Sequence, residues 1–353
     1  MSNRFLHLLE TKPYLVADGA TGTNLFGLGL ATGDSPELWC TEHPDRVAVV
    51  HRSFVEAGAD IILTNSFGGS RHRLKLHKAE HRVTELNRAA ARIARTEADA
   101  AGRPVAVGGS MGPTGELFEP LGALTRPDAV AAFTEQARAL AEGGADVLWI
   151  ETMSSEEEVA AAHEGAATTG LPIVCTMSFD TNGRTMMGVT PQRYAQFCRE
   201  MRPVPVAFGA NCGVGPAELI HSVLGLTEAG LQPFAPQVEQ PPARPMVVAK
   251  GNCGIPRYLD GKIHYTGTPD MMAEYAKLAR AAGARIIGGC CGSTAAHIEA
   301  IVAALKSFEP AGRPDLDAVS QTLGAPWSRA ADTGADSAPA SGERAGRRRR
   351  RGG

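Results

Sequence analysis

Three cysteines carry the most specific chemistry in this chain. Cys290 and Cys291 are adjacent inside Ile-Ile-Gly-Gly-Cys-Cys-Gly-Ser-Thr at 286–294, and Cys212 lies within Gly-Ala-Asn-Cys-Gly at 209–213. Each follows an apolar run and has glycine close by, which lets the backbone bend far enough for sulfurs to converge. The thiolate is the form that ligates a metal or attacks an electrophile. If all three bound Zn²⁺, one tetrahedral position would stay open, as a catalytic zinc site requires. Cys40, Cys175 and Cys198 lack such surroundings and read as core packing, the ordinary fate of an isolated cysteine.

Residues so far apart can meet only if the elements before them are held side by side. Short apolar runs recur at Tyr14–Asp18, Asp60–Asn65, Val105–Gly109, Asp146–Glu151, Ile173–Met177, Val204–Gly209, Met246–Ala249 and Arg285–Gly289. Between them lie stretches of helical spacing: Asp45–Glu56, His81–Ala101, Asp128–Glu142, Glu156–Thr168, Pro191–Arg202, Pro216–Ala229, Asp270–Ala282 and Ala295–Lys306. Strands buried on both faces that alternate with amphipathic helices form parallel sheets with right-handed crossovers. Glycines at 58, 144 and 283, just before three of the strands, suit helix C-caps. Eight such units predict an α/β fold, a (β/α)₈ TIM barrel, as one domain over 1–308.

Composition agrees and narrows the function classes. The 353 residues are 43% hydrophobic and 21% charged with a formal net charge of −3, as in an ordinary globular protein without a global attraction to nucleic acid or anionic membrane. The first residues lack a basic start followed by a sustained apolar stretch, and no segment approaches a membrane helix in length, so a cytoplasmic location is expected. Seven cysteines without a small-secreted-domain pattern fit a reducing compartment. Residues 309–353, rich in Ala, Gly, Ser, Pro, Asp and Arg and ending in five consecutive arginines, read as a disordered solvated tail.

In a barrel of this kind, function sits at the C-terminal ends of the strands. Those ends carry Asp18-Gly19-Ala20-Thr21-Gly22-Thr23, Thr64-Asn65-Ser66-Phe67-Gly68, Glu151-Thr152, Asn211-Cys212-Gly213 and Cys290-Cys291-Gly292. The first of these blocks, with the two cysteine blocks in order, resembles the zinc-dependent homocysteine S-methyltransferase family. That family includes betaine–homocysteine methyltransferases, S-methylmethionine-dependent enzymes and the homocysteine module of methionine synthase. The resemblance runs from about residue 10 to about 308, and Glu42-His43-Pro44 and Ala57-Gly58-Ala59-Asp60 also fit it.

The resemblance implies that Cys212, Cys290 and Cys291 hold one zinc ion per chain, and that a methyl group passes to the thiol of homocysteine to give methionine. It implies Asp18 and Glu151 as holders of the substrate amino group, with Asn211 and the backbone near Gly19 organising the pocket. The Gly251-Asn252-Cys253-Gly254 loop mimics the cysteine blocks, but the family usually has alanine at that cysteine, so Cys253 reads as structural. The methyl donor could be a betaine-type onium compound, S-methylmethionine, or methylcobalamin delivered by a separate partner protein. Animal betaine enzymes have tyrosines at the positions of Gly68 and Thr152, whose loss weakens an aromatic cage of that type; Trp39, Phe67 and Phe118 remain as candidate aromatics. The long C-terminal arm of the animal enzymes is also missing, so their tetramer is not carried over. The basic segment with His72, His77 and His81 lacks metal spacing and reads as a solvated stretch of the active face. Two other readings stand beside this one: a barrel enzyme with a cysteine nucleophile, which would survive chelation and die on alkylation, and a redox or structural metal-binding protein with all four zinc positions filled.

Overall fold

The structure, a computed structural model, describes residues 3–228, 246–254, 256–259 and 262–324. It begins with α1 (Arg4–Thr11), β1 (Leu15–Val16), α2 (Thr21–Gly27), α3 (Trp39–Glu42), α4 (Pro44–Glu56) and β2 (Ile61–Leu63). Next come α5 (Arg71–Lys75), α6 (Val83–Asp99), β3 (Ala106–Met111), α7 (Arg126–Gly143), β4 (Val147–Met153), α8 (Glu156–Ala167) and β5 (Ile173–Met177). The rest comprises α9 (Pro191–Glu200), β6 (Ala207–Cys212), α10 (Pro216–Glu228), β7 (Met246–Gly251), the hairpin β8 (Pro256–Leu259) and β9 (Lys262–Tyr265), α11 (Pro269–Ala281), β10 (Ile286–Gly289), α12 (Ala295–Lys306) and α13 (Leu316–Leu323). Helix starts follow their sequence: Thr125, Ser155, Thr190 and Thr268 each cap a helix by accepting from a backbone N–H three residues on.

Eight parallel strands run in the order β1-β10-β7-β6-β5-β4-β3-β2. The seam between β1 and β2 closes through a parallel bridge from Ala17 to Ile61. Around that bridge the Asp60 amide donates to the Val16 carbonyl at 2.7 Å and the Asp18 amide to the Ile61 carbonyl at 3.0 Å. Side chains reinforce it, since the Asp60 carboxylate accepts from the Val16 amide and that of Asp18 from the Leu63 amide. The expected (β/α)₈ barrel is therefore what the chain forms.

Alternate strand residues face inward, as a pleated strand dictates. Leu15, Ala17, Ile61, Leu63, Val147, Trp149, Val174, Val248 and Ile286 fill the barrel, and Phe5, Leu8 and Leu9 of α1 belong to the same core. Intervening residues such as Val16, Ile62, Leu148 and Ile150 pack outward beneath the helices. Two expectations need correction. The sixth strand lies further on than 204–209, because Val204 is exposed and pairing begins only at Ala207. The ordered chain also continues past 308: Asp315 caps α13, whose Leu316, Val319 and Leu323 join the outer core, with Val319 fully buried. One amphipathic helix was hidden by the polar composition around it. The arginine run lies outside the described residues.

Trp149 is the largest fully buried side chain in the barrel. Trp149→Ala should lower the unfolding free energy by about 3–5 kcal/mol, read from the denaturant midpoint. A loss below about 1 kcal/mol would mean that the interior does not depend on this ring.

Candidate active site

Strand register explains how the cysteines meet. Cys212 on β6 is paired with Gly251 on β7, and Gly251 with Gly289 on β10, so one line across three strands ends beside Cys290. The three sulfurs lie within 4.8 Å of one another, with Cys212 Sγ and Cys291 Sγ 3.9 Å apart. Sulfurs about 2.3 Å from a tetrahedral zinc would stand about 3.8 Å from each other, so the cluster fits such an ion in spacing and donor chemistry. Cys212 has a positive φ of 63°, costly for a side chain of this kind and a frequent mark of functional sites. Asn252 fastens the two loops: it donates to the Gly213 carbonyl at 2.5 Å and accepts from the Cys291 amide at 3.0 Å. Gly292 is required on steric grounds, because its φ is +80° and a Cβ there would lie 2.2 Å from the Tyr265 ring.

Unmetallated, the thiols resist ionisation. For Cys212 a hydrogen bond from Cys290 favours the thiolate, but the contact with Cys291, together with burial, outweighs it and pushes the pKa up to about 12. For Cys291 the bond with Cys212 favours the thiolate, and Cys290 and burial again prevail, to about 12. Cys290 is raised chiefly by its contact with Cys212. A bound dication supplies the positive charge that would let such a trio ionise.

Below the sulfurs the barrel interior turns polar. Continuing the inward alternation, β7 presents Lys250, β4 Glu151, β3 Ser110, β5 Thr176 and β6 Asn211, all buried. Asp18 lies among them with no exposed surface: Lys250 Nζ donates to its Oδ1 at 2.6 Å and to its carbonyl at 3.2 Å. Burial pulls the Lys250 pKa down, but the charges of Asp18 and Glu151 more than reverse this and keep it cationic. Burial likewise drives Glu151 upward, opposed by the Lys250 charge and the Ser110 hydroxyl that donates to it. Asn211 accepts from the Thr152 amide and the Thr176 hydroxyl and donates to Thr152 Oγ1 and, at 3.8 Å, to Cys290 Sγ. It thereby holds Thr152 at its own positive φ of 60°.

A cavity of about 500 Å³ opens above this floor. Of the residues expected at the site, Gly19, Glu151, Cys212, Cys290 and Cys291 line it, whereas Asp18 and Asn211 stand behind its wall. Gly19 admits no side chain, because a Cβ would come 2.8 Å from both the Phe54 ring and the Ser293 carbonyl. Phe67 lines the cavity, as does Phe26, which periodicity alone did not single out. Trp39 is instead buried edge-on to His43 beneath the Arg46 guanidinium, and Phe118 packs against the outer core. The Gly68 amide donates to Glu37 Oε1 at 2.7 Å, and a Cβ at this glycine would meet that oxygen at 2.9 Å. Thus a carboxylate adjoins the position where animal betaine enzymes place a tyrosine. Cys253 is 1% exposed and donates to the Gly267 carbonyl, apart from the cluster. Arg73 and His77 of the basic segment reach the cavity mouth. Lys250, Asn252 and Glu37 were missed in the sequence; an inward lysine two positions after Val248 was the available signal.

Comparison with known proteins places this geometry. A family model described as homocysteine S-methyltransferase matches residues 15–305. A methionine synthase from Mycobacterium tuberculosis is 31% identical over 312 residues, which are 84% of this chain and 25% of that protein, so the chain spans about a quarter of its relative's length. Among solved structures, the metallated form of the homocysteine methyltransferase MmuM from Escherichia coli is 24% identical with a TM-score of 0.69, covering 85% of this chain and 99% of that one. Its apo form, at 22% identity, has a TM-score of 0.64 over 86% of this chain and 100% of that one. Among the described residues no helix is long and apolar enough to cross a membrane. Because that family model spans residues 15–305, nearly the whole barrel and all three clustered cysteines, this chain belongs to the homocysteine S-methyltransferase family.

Proposed function

We propose that the enzyme transfers a methyl group from a small onium compound to the thiol of homocysteine, forming methionine, with one zinc ion held by Cys212, Cys290 and Cys291. The observation that carries this reading is the cavity in which the three thiols stand above a buried carboxylate, Glu151. When bound, zinc would lower the pKa of the acceptor thiol so that it is a thiolate at neutral pH. Glu151 takes the acceptor ammonium, a buried charge that needs such a partner. Asn211 and Asn252 keep the cysteine loops in place without touching substrate. At the mouth, Phe26 and Phe67 supply aromatic surface, and Asp34 and Glu37 place two carboxylates against the single Arg73 guanidinium, a combination that suits a cationic donor.

As the acceptor sulfur forms its bond to the methyl carbon, the donor's C–N or C–S bond breaks and its electron pair leaves with a neutral amine or thioether. A cation and a thiolate become two neutral groups, so removal from water favours the transfer. The similarity to a segment of a methionine synthase supports a second donor, methylcobalamin on a separate partner protein. The two are separated by giving zinc-loaded protein homocysteine with betaine, dimethylsulfoniopropionate, S-methylmethionine or methylcobalamin. Methionine from an onium donor is expected; methionine from methylcobalamin alone would overturn the donor assignment, and none from any donor the acceptor assignment.

Serine at position 212, 290 or 291 should abolish stoichiometric zinc and reduce kcat/KM by more than about 100-fold, since even residues that only orient metal ligands are worth roughly 10–100-fold. Cys253→Ser should leave zinc content at one per chain by metal analysis. Retained zinc in all three ligand variants would refute the site.

Glu151 must be ionised to hold an ammonium, and burial raises its pKa above that of an ordinary glutamate. The free enzyme's affinity for homocysteine should therefore fall with acidification at a pH above the ordinary carboxylate range. Glu151→Gln should remove that acidic limb from the pH dependence of the dissociation constant and weaken binding by at least about tenfold. An unchanged limb would assign it to another group.

A further inference from the structure

Two opposite charges face the cavity from its floor. Glu151 and Lys250 both line it, while Asp18, the other carboxylate of the cluster, does not. Among the described residues both hydrogen bonds of the Lys250 ammonium go to Asp18, to its carboxylate at 2.6 Å and its carbonyl at 3.2 Å. An ammonium has three N–H donors. Asp18 is committed elsewhere as well, its second oxygen accepting from the Leu63 amide at 2.7 Å. The cation offered to a ligand is thus Lys250, and the anion Glu151.

We propose that Lys250 is a specificity-determining residue that binds the carboxylate of the acceptor amino acid through its remaining N–H, while Glu151 binds the ammonium on the same carbon. This rests on homocysteine as the acceptor and goes further, because it assigns the two α-substituents to separate side chains. The role of Asp18 then changes: it is a positioning residue that fixes the Lys250 ammonium and neutralises it when the cavity is empty. The strand geometry makes the arrangement rigid, since Lys250 is paired with Asn211 on one side and Gly288 on the other. Burial at 1% exposure removes water that would otherwise compete for the ammonium.

The test is binding of three thiols to the zinc-loaded full chain by calorimetry: homocysteine, its decarboxylated analogue 3-aminopropanethiol, and its deaminated analogue 4-sulfanylbutanoate. A charge-assisted contact with the carboxylate should make homocysteine bind at least about tenfold more tightly than 3-aminopropanethiol. Lys250→Met should weaken homocysteine and 4-sulfanylbutanoate by a common factor and leave 3-aminopropanethiol within about twofold, whereas Lys250→Arg retains the preference for a carboxylate. If Lys250→Met does not fold because Asp18 is left unpaired, the double variant D18N/K250M removes both charges and gives the same readout. Equal weakening of homocysteine and 3-aminopropanethiol would reduce Lys250 to a structural part. Equal binding of these two by the unmodified protein would exclude a carboxylate contact outright. Failure of all three thiols to bind would instead overturn the acceptor reading, and the Lys250 assignment with it.

Discussion

Everything at this site depends on the register of three neighbouring strands. Cys212, Gly251 and Gly289 stand in line across β6, β7 and β10, and the thiols cluster because each cysteine loop begins at or just after that line. Slipping one strand by one residue would exchange its inward and outward faces. Such a slip would remove a sulfur from the cluster, since the neighbours of these cysteines are Asn211, Gly213, Gly289 and Gly292. The hydrophobic layer beneath opposes it: Val248, Ile286 and Ala207 can fill the interior only in the observed register. Core packing and ligand geometry therefore impose the same alignment, which links stability of the barrel directly to assembly of the site.

A change of interior chemistry along the strands has a second consequence. Lower inward positions carry Met246, Val147 and Ala106; the upper ones carry Lys250, Glu151 and Ser110 on those same strands. Buried charges in such numbers are stable only when paired and hydrogen-bonded. With both carboxyls ionised, Asp18 and Lys250 cancel and Glu151 is left with the Ser110 hydroxyl as a neutral donor. One negative charge in excess is a poor feature for a stable core, and it is the feature a cationic substrate group needs. Asp18 also joins β1 to β2 through the Leu63 amide, so the residue that seals the barrel is the one that fixes the floor of its cavity.

Much of this was legible in the sequence, for reasons that also explain the gaps. Eight apolar runs separated by amphipathic stretches specify the barrel because burial on both faces leaves a strand no polar side. The three cysteines were legible because glycine-bounded thiols at strand ends have few structural uses. Lys250 escapes a sequence reading that ends the seventh strand at Ala249, where a lysine reads as surface; the pairing of Lys250 and Gly251 on both sides shows that the strand runs on. Helix α13 was lost because a single buried Val319 does not outweigh a polar neighbourhood. Asp18 and Asn211 stand at strand ends, as their sequence positions indicate, and lie behind the cavity wall. Sequence locates them at strand ends, whereas depth depends on what covers them, and Lys250 covers Asp18.

The positions that bear on the donor show the same dependence on neighbours. Gly68 looked like the loss of a tyrosine from an aromatic cage. In the fold its amide donates to Glu37, whose carboxylate also accepts from the Ser35 hydroxyl at 2.6 Å, and a Cβ at 68 would press on that carboxylate at 2.9 Å. Thr152 is likewise tied by both its amide and its hydroxyl to Asn211, the residue that reaches Cys290. A tyrosine at either position would have to displace a buried hydrogen-bonded partner, and at 152 the disturbance would pass to the cysteine cluster. The cavity lining of this chain thus combines the Phe26 and Phe67 rings with the Asp34 and Glu37 carboxylates, and a tyrosine placed at 68 would press on the Glu37 carboxylate.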